Sequence, residues 1–204
     1  RTESGALLRA EYRDPGGLGA FVRGRFRYLD YDDRAAGVDQ DRRRFEGDVG
    51  VLLFQEERLE GEAFIGVIDV SAVDPRIREV TTYGLGSRVT WRPTRQTQWT
   101  IDSRRVEQIS QDELSPVLET AGRVAVRRAL RRDQAVRASI GVSAFDYETQ
   151  DRNDLRFDLG VGYEWAITRS LALDLDYGFR RLESDIDTET YSRHTVQAGY
   201  RFAY

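Results

Sequence analysis

The feature of this sequence that most constrains its fold is a set of long stretches in which apolar and polar residues strictly alternate. From Leu155 to Trp165 every odd position is apolar, whereas the even positions hold Gly or charged residues. The same period of two runs from Leu171 to Phe179 and from Val196 to Tyr204. A period of two places one set of side chains on each face of a β-strand, and helical spacing does not fit it. The pattern therefore predicts amphipathic strands.

About eleven such segments cover most of the 204 residues. Each has roughly ten to fifteen residues, whereas a strand usually has about 5–6. The predicted limits are 4–13, 18–31, 42–56, 59–72, 79–92, 96–109, 117–131, 134–148, 153–166, 170–183 and 190–204. The sequence thus predicts an all-β protein with unusually long strands.

The connections between these segments alternate in length. Short ones lie at 14–17, near Glu57, and at 93–95, 132–133 and 168–169. Longer polar ones lie at 32–41, 72–78, 110–116, 149–152 and 184–189. Tight periplasmic turns and longer external loops alternate in this way in outer-membrane barrels. We therefore expect a transmembrane, antiparallel, up-and-down β-barrel in a bacterial outer membrane, with lipid around it.

The Trp residues provide an independent indication of a membrane interface. Trp91, Trp99 and Trp165 all flank short turns and all lie on the apolar face. Amphipathic rings favour the headgroup level of a bilayer, so the three are predicted to form an aromatic girdle. The alternative is a soluble sandwich or lipocalin-like barrel with its apolar face inward. Faces rich in Gly, Arg and Asp would then form an unusual solvent surface.

Composition excludes several classes of function. The chain lacks Cys, so a disulfide scaffold, a thiolate metal site and a Cys nucleophile are excluded. All 31 basic residues are Arg, the net charge is −4, and the mean hydropathy is −0.59. A nucleic-acid binder usually carries a basic excess, so nucleic acid is not an expected partner. We expect no cofactor and no bound metal.

With the apolar face toward lipid, the polar face lines a lumen. The predicted lumen and solute-binding residues are charged side chains on that face: Arg23, Arg25, Arg27, Arg88, Arg104, Arg123, Arg156, Asp158, Asp174, Asp176 and Arg180. One interpretation is a lattice of ion pairs that stiffens the wall and fills the bore. The other is a path for an anionic solute or polymer, with the Arg23–Arg27 row as the best candidate, because guanidinium groups bind carboxylates and sulfates through two hydrogen bonds.

Catalysis has little support in the sequence. His194 is the only His, and it shares the lipid face with Ser192. Two residues along a strand separate side chains by about 7 Å, too far for a direct hydrogen bond between a base and a nucleophile. We therefore predict no enzymatic activity and no catalytic residues, and a hydrolase centred on His194 remains an alternative.

The C-terminal residues resemble the terminal recognition signal of outer-membrane barrel proteins. Gln197, Gly199, Phe202 and Tyr204 fill the polar, Gly and alternating aromatic positions of that signal. The resemblance implies that the barrel-assembly machinery binds the last strand by its edge.

Two stretches narrow the resemblance to one family. Residues 83–94 contain Trp91-Arg92-Pro93-Thr94 after an alternating strand, and residues 191–202 form the last strand. Both are similar to the outer-membrane β-barrel family often called porin-like barrel type 2. Members often accompany machinery for exopolysaccharide export, so the resemblance implies transport or secretion, with polysaccharide or periplasmic export partners.

Strand direction predicts how complete the barrel is. If Tyr204 lies in the periplasm, counting back through alternating turns places the start of segment 4–13 outside the cell. Bacterial barrels normally have an even number of strands with both ends in the periplasm. We expect residues 1–204 to be one outer-membrane barrel of about twelve or more strands, lacking N-terminal strands or an upstream domain. A sealed anchoring barrel and the C-terminal part of a TonB-dependent receptor are the other functions left open.

Overall fold

Eleven β-strands make up nearly all of the residues that the computed structural model describes, namely 2–30, 41–55, 58–73, 79–109, 116–147 and 152–202. They are β1 (Thr2–Arg13), β2 (Leu18–Asp30), β3 (Arg42–Gln55), β4 (Leu59–Ala72), β5 (Val80–Thr94), β6 (Thr97–Ile109), β7 (Pro116–Ala129), β8 (Gln134–Tyr147), β9 (Arg152–Ala166), β10 (Leu171–Ser184) and β11 (Tyr191–Phe202). A short 3-10 turn spans Asp187–Glu189. In the described part of the chain, no helix has the length and apolarity required to cross a membrane.

The strands form one antiparallel sheet in sequence order, from β1 to β11. Each strand pairs with the next one in the chain, so the predicted all-β, up-and-down architecture is confirmed. Within the described residues, β1 and β11 are each paired on one side only. The predicted total of twelve or more strands stays a prediction.

The turn between β1 and β2 shows how the short connections are closed. The Asp14 carboxylate accepts a hydrogen bond from the Gly16 amide at 2.8 Å, and the Gly17 amide donates to the Asp14 carbonyl at 3.1 Å. Gly17 has a φ of 92°, a left-handed conformation that residues with a Cβ rarely adopt. Local sequence therefore fixes this turn.

The two faces of the sheet have opposite character. The convex face exposes large apolar side chains such as Val22, Val49, Ile65 and Val161. The other face carries charged groups that reach across strands: Arg9 Nη1 of β1 lies 3.0 Å from Glu62 Oε2 of β4. Contact across two intervening strands requires the sheet to curl with its charged face inside. This inverted polarity is that of a barrel in lipid.

Segregation of apolar and polar residues is incomplete in the first strands. Phe21, Leu52 and Ile68 share the inward face of β2–β4 with the charged residues, and all three are buried. The sequence there is apolar on both faces, as in Val-Gly-Val-Leu-Leu-Phe over residues 49–54. Part of the lumen is consequently packed like a protein core.

Candidate solute passage in the lumen

Inward-facing Arg residues outnumber inward-facing acids. The hydrogen-bond register and the alternation of side chains define the inward positions. The inward Arg residues are Arg9, Arg13, Arg23, Arg25, Arg27, Arg42, Arg44, Arg88, Arg92, Arg104, Arg123, Arg127, Arg137, Arg152, Arg156, Arg180, Arg193 and Arg201. The inward acids are Glu3, Glu11, Glu46, Asp48, Glu60, Glu62, Asp102, Glu119, Asp154, Asp158, Glu164, Asp174 and Asp176.

The inward face of β2–β4, which we call the packed wall, holds its charges in ion pairs around two buried carboxylates, Glu46 and Asp48. Arg23 and Asp48 lie 2.8 Å apart, with side chains only 10% and 4% exposed. Glu46 accepts hydrogen bonds from Arg25 at 2.9 Å, Arg27 at 2.6 Å and Arg44 at 2.7 Å. The Arg23–Arg27 row is therefore bound by two carboxylates of β3, its neighbour in the sheet.

Aromatic rings reinforce the packed wall. Phe21 and Phe64 meet edge to face with 6.5 Å between their centroids. The guanidinium carbon of Arg9 lies 4.2 Å from the centre of the Phe21 ring, and that of Arg23 lies 4.4 Å from the centre of the Phe64 ring. Cations over aromatic faces are attracted to the ring quadrupole, so these Arg side chains are held from two sides.

A cavity of about 1330 Å³ lies between the packed wall and the inward face of β5–β10, which we call the open wall. On the open wall, several of the residues that line this cavity are small: Ala121, Ser139, Gly141, Ser143 and Gly160. Six of the predicted lumen residues also line the cavity: Arg88, Arg104, Arg123, Arg156, Asp158 and Arg180. Of the described residues that line this cavity, none is Arg23, Arg25 or Arg27.

Ion pairs on the open wall are more solvent-exposed and share their carboxylates. Glu119, 1% exposed, lies 3.0 Å from Arg104 and 3.2 Å from Arg156. Asp158 binds Arg156 at 3.0 Å and Arg180 at 2.6 Å. Because each carboxylate serves two guanidinium groups, positive charge remains in excess here.

Two further Arg residues of the open wall, Arg88 and Arg123, differ in their partners. Arg88 donates to Asp102 at 2.6 Å although its side chain is 78% exposed. Arg123 donates to the Ser139 hydroxyl at 3.1 Å, which is a neutral partner. The sequence indicated both Arg residues, but nothing in their spacing indicated that Ser139 and Gly141 would stand beside Arg123.

Near the short-turn end, the inward acids Glu164, Asp174 and Asp176 pair with Arg residues of β7, β8 and β11. Arg137 lies 2.7 Å from Asp176 and 2.9 Å from Glu164. Asp174 pairs with Arg201 at 3.0 Å. Over the described part of the chain, no cluster of His, Cys, Asp and Glu side chains is arranged to hold a metal ion.

The predicted girdle residues all lie on the convex face. Trp91 and Trp99 are direct neighbours in the pairing of β5 with β6, and Trp165 lies opposite Leu173 of β10. Trp91 and Trp165 are both exposed on this face. Their placement at the bilayer interface stays a prediction.

Residues of the predicted assembly signal lie on the last strand. Gln197 and Gly199 face Asp176 and Asp174 of β10, and Phe202 is exposed on the convex face. Tyr204 lies outside the described residues.

His194 lies on the convex face of the same strand. Its Nδ1 atom is 2.9 Å from the Tyr177 hydroxyl, and its ring centroid is 5.0 Å from that of Phe179. Its neighbours are thus aromatic residues of β10. The absence of enzymatic activity stays a prediction.

A curled antiparallel sheet with an apolar exterior and a charged, hollow interior defines an outer-membrane β-barrel. The chain belongs to the family described as "Putative beta-barrel porin 2", which matches residues 1–204. The predicted family and the predicted outer-membrane location are confirmed. None of the curated proteins matches the chain.

Two solved structures show the same fold at low sequence identity. The outer membrane channel DcaP of Acinetobacter baumannii is 10% identical, with a TM-score of 0.69, over 97% of this chain and 62% of that one. The outer-membrane expressed OmpT of Vibrio cholerae is 12% identical, with a TM-score of 0.54, over 91% of this chain and 64% of that one. The chain therefore spans less than two thirds of the length of either structure.

Proposed function

We propose that the protein provides a passage for small anionic solutes across the outer membrane, along the open wall of its lumen. One observation carries this proposal: among the described residues that line the cavity, Arg residues are twice as numerous as acids. The Arg residues are Arg9, Arg13, Arg88, Arg92, Arg104, Arg123, Arg156 and Arg180, and the acids are Glu60, Glu62, Asp102 and Asp158.

Electrostatics supports the choice of an anion. A cleft with an excess of charges of one sign, between walls of low dielectric constant, concentrates counter-ions and speeds their entry. Guanidinium groups are planar, permanently charged and weakly hydrated, so they bind carboxylates and sulfates without a large desolvation cost. The small residues of the open wall leave room for a solute beside these groups.

A more specific form of this proposal names acidic sugars as the solutes. A carboxylate-bearing sugar offers the anionic group that the open-wall Arg residues bind, and an acidic exopolysaccharide offers many of them. Export of such a polymer also requires periplasmic partners and a lumen that is open at both ends. If a polymer passes, adding a soluble polyuronate to one side should block the ion current reversibly.

Ion conduction tests the proposal. Full-length protein, purified from outer membranes, is inserted into a planar bilayer under a tenfold KCl gradient. We expect discrete openings and a reversal potential on the chloride-selective side. Cation selectivity would contradict the proposal. A closed baseline would favour the sealed anchoring barrel, an alternative that the ion-pair lattice around Glu46 supports.

We also propose that the barrel-assembly machinery binds β11 through Gln197, Gly199, Phe202 and Tyr204. The exposed Phe202 side chain and the unpaired edge of β11 within the described residues support this. Replacing Phe202 and Tyr204 together by Ala should slow assembly in cells. Replacing Tyr200, which is equally exposed on the same face, is the matched control. Equal assembly defects in both variants would contradict the proposed signal.

A further inference from the structure

One row of inward side chains crosses the open wall at the level of the cavity. From β5 to β10, hydrogen-bonded neighbours at this level are Arg88, Asp102, Arg123, Gly141, Asp158 and Arg180. We call it the charge row. Its charges alternate in sign except at Gly141, which has no side chain. The alternation therefore fails beside Arg123.

Arg123 is the residue that this gap leaves without a counter-charge. Asp102, its neighbour on β6, is engaged by Arg88 at 2.6 Å, and Asp158, beyond Gly141, is engaged by Arg180 at 2.6 Å. Among the described residues, no carboxylate forms an ion pair with Arg123, and its side-chain hydrogen bond goes to Ser139 Oγ. Arg123 is exposed to the cavity, so its positive charge is available to a solute.

The next inward row toward the short turns is small and uncharged. Along β5–β10 it contains Thr90, Thr100, Ala125, Ser139, Gly160 and Gly178. We call it the neutral row. It lies two residues, or about 7 Å along the strands, from the charge row. Beyond it the inward side chains are charged again at Arg127, Arg137 and Asp176.

The neutral row offers space and hydroxyl groups rather than charge. Thr90, Ser139 and Gly160 of this row line the cavity. A Cβ atom added at Gly178 would meet no atom closer than 4.0 Å, so the wall is open there. Thr and Ser hydroxyls both donate and accept hydrogen bonds, which suits a hydroxylated solute.

We propose that Arg123 and the neutral row form a subsite for small carboxylates whose remaining part is hydroxylated and uncharged. The inference rests on the proposed anion passage and names the solute class that its open wall takes. The carboxylate binds the Arg123 guanidinium, and the hydroxyl groups lie against Ser139 and the small residues of the neutral row beside it. A neutral sugar lacks the first contact, and an apolar carboxylate lacks the second.

Binding to the full-length protein in detergent tests the subsite with three probes. Galacturonate carries both features, galactose lacks the carboxylate, and benzoate lacks the hydroxyls. We expect galacturonate to bind about tenfold more tightly than either of the others, because a hydrogen bond to a charged group contributes more than one between neutral groups, and tenfold corresponds to about 1.4 kcal/mol. Equal binding of galactose and galacturonate would overturn the assignment.

Three variants locate the effect. Arg123→Gln should weaken galacturonate binding about tenfold and shift the reversal potential toward that of a non-selective pore. Arg123→Lys keeps the charge without the planar fork, so it should keep the ion selectivity and lose part of the affinity. Arg181→Gln, on the convex face of β10, is the matched control and should change neither. Migration as a folded barrel on an unheated gel confirms that each variant has folded.

Conduction and binding together separate the two proposals. If the pore conducts but Arg123→Gln changes neither selectivity nor affinity, the subsite is wrong and the passage stands. If galacturonate binds in an Arg123-dependent way to a barrel that never conducts, the passage is wrong and the subsite stands. If the barrel neither conducts nor binds galacturonate, both are overturned.

Discussion

The packed wall and the open wall of the lumen use the same residue types in different surroundings. On the packed wall, Arg23 and Asp48 are almost fully buried and lie beside the Phe21 and Phe64 rings. On the open wall, Arg104 is 58% exposed and its neighbours in the lumen are Ala121 and Ser143. Whether an inward Arg is buried or stays exposed to the lumen therefore depends on the size of the inward side chains around it.

The largest expected effect is loss of a buried counter-charge on the packed wall. Asp48→Ala leaves the Arg23 guanidinium buried and weakly compensated, which should lower the free energy of unfolding by about 3–5 kcal/mol. Asp102→Ala, its counterpart on the open wall, removes the partner of an exposed Arg and should cost less than about 1 kcal/mol. Urea unfolding in lipid vesicles measures both, and equal losses would remove the distinction between the walls.

Adding a methyl group at a glycine should also affect the stability of the two walls differently. A Cβ at Gly66 on β4 would collide with Asp48 and with the Gly47 carbonyl, whereas at Gly178 on β10 the nearest atoms are 4.0 Å away. Gly66→Ala should therefore destabilise the barrel by about 1–3 kcal/mol. Gly178→Ala should leave the unfolding midpoint nearly unchanged. A larger loss for Gly178→Ala would show that the open wall is also tightly packed.

A bulky side chain on the open wall should obstruct the passage without unfolding it. In Gly141→Phe, the new Cβ makes only ordinary contacts of 3.6–3.9 Å, so the ring extends into the cavity. Side chains can fill a narrow bore, and we expect single-channel conductance to fall about twofold or more. Ala138→Phe, on the opposite face of the same strand, is the control. Unchanged conductance in Gly141→Phe would show that ions do not pass along the open wall beside Gly141.

The smallest effect is expected at Arg25 on the packed wall. Glu46 would retain Arg27 and Arg44 after Arg25→Gln, so its negative charge remains paired. The reversal potential should shift less than in Arg123→Gln, and stability should change by less than about 1 kcal/mol. A shift as large as that of Arg123→Gln would mean that the packed wall also determines ion selectivity.

Strand positions were predicted well because their cause is local. A strand in a lipid-facing barrel alternates strictly, and β9 shows this from Leu155 to Trp165 without interruption. The β4 limits of 59–72 were predicted residue for residue, and the remaining predicted limits agree with the described strands within two residues. The position of the turn at Asp14 and Gly17 was predicted for the same reason, because the turn depends on the residues within it.

The individual lumen contacts could not be predicted in the same way. Alternation places Arg23 and Arg123 on the same face but says nothing about their neighbours on adjacent strands. Pairing register brings Asp48 beside Arg23 and places Gly141 beside Arg123. The solute path that we propose therefore follows the open wall rather than the Arg23–Arg27 row.

By itself, the sequence determined that the chain forms long amphipathic strands joined by alternating short and long connections, with the apolar side toward lipid. Side-chain period and turn chemistry act over a few residues, so they can be read along the chain. The tertiary structure decided which charges neutralise one another, because Arg9 meets Glu62 and Arg156 meets Glu119 only after the sheet has curled. Register also places Arg123 beside Gly141, with the Ser139 hydroxyl rather than a carboxylate as its hydrogen-bond partner.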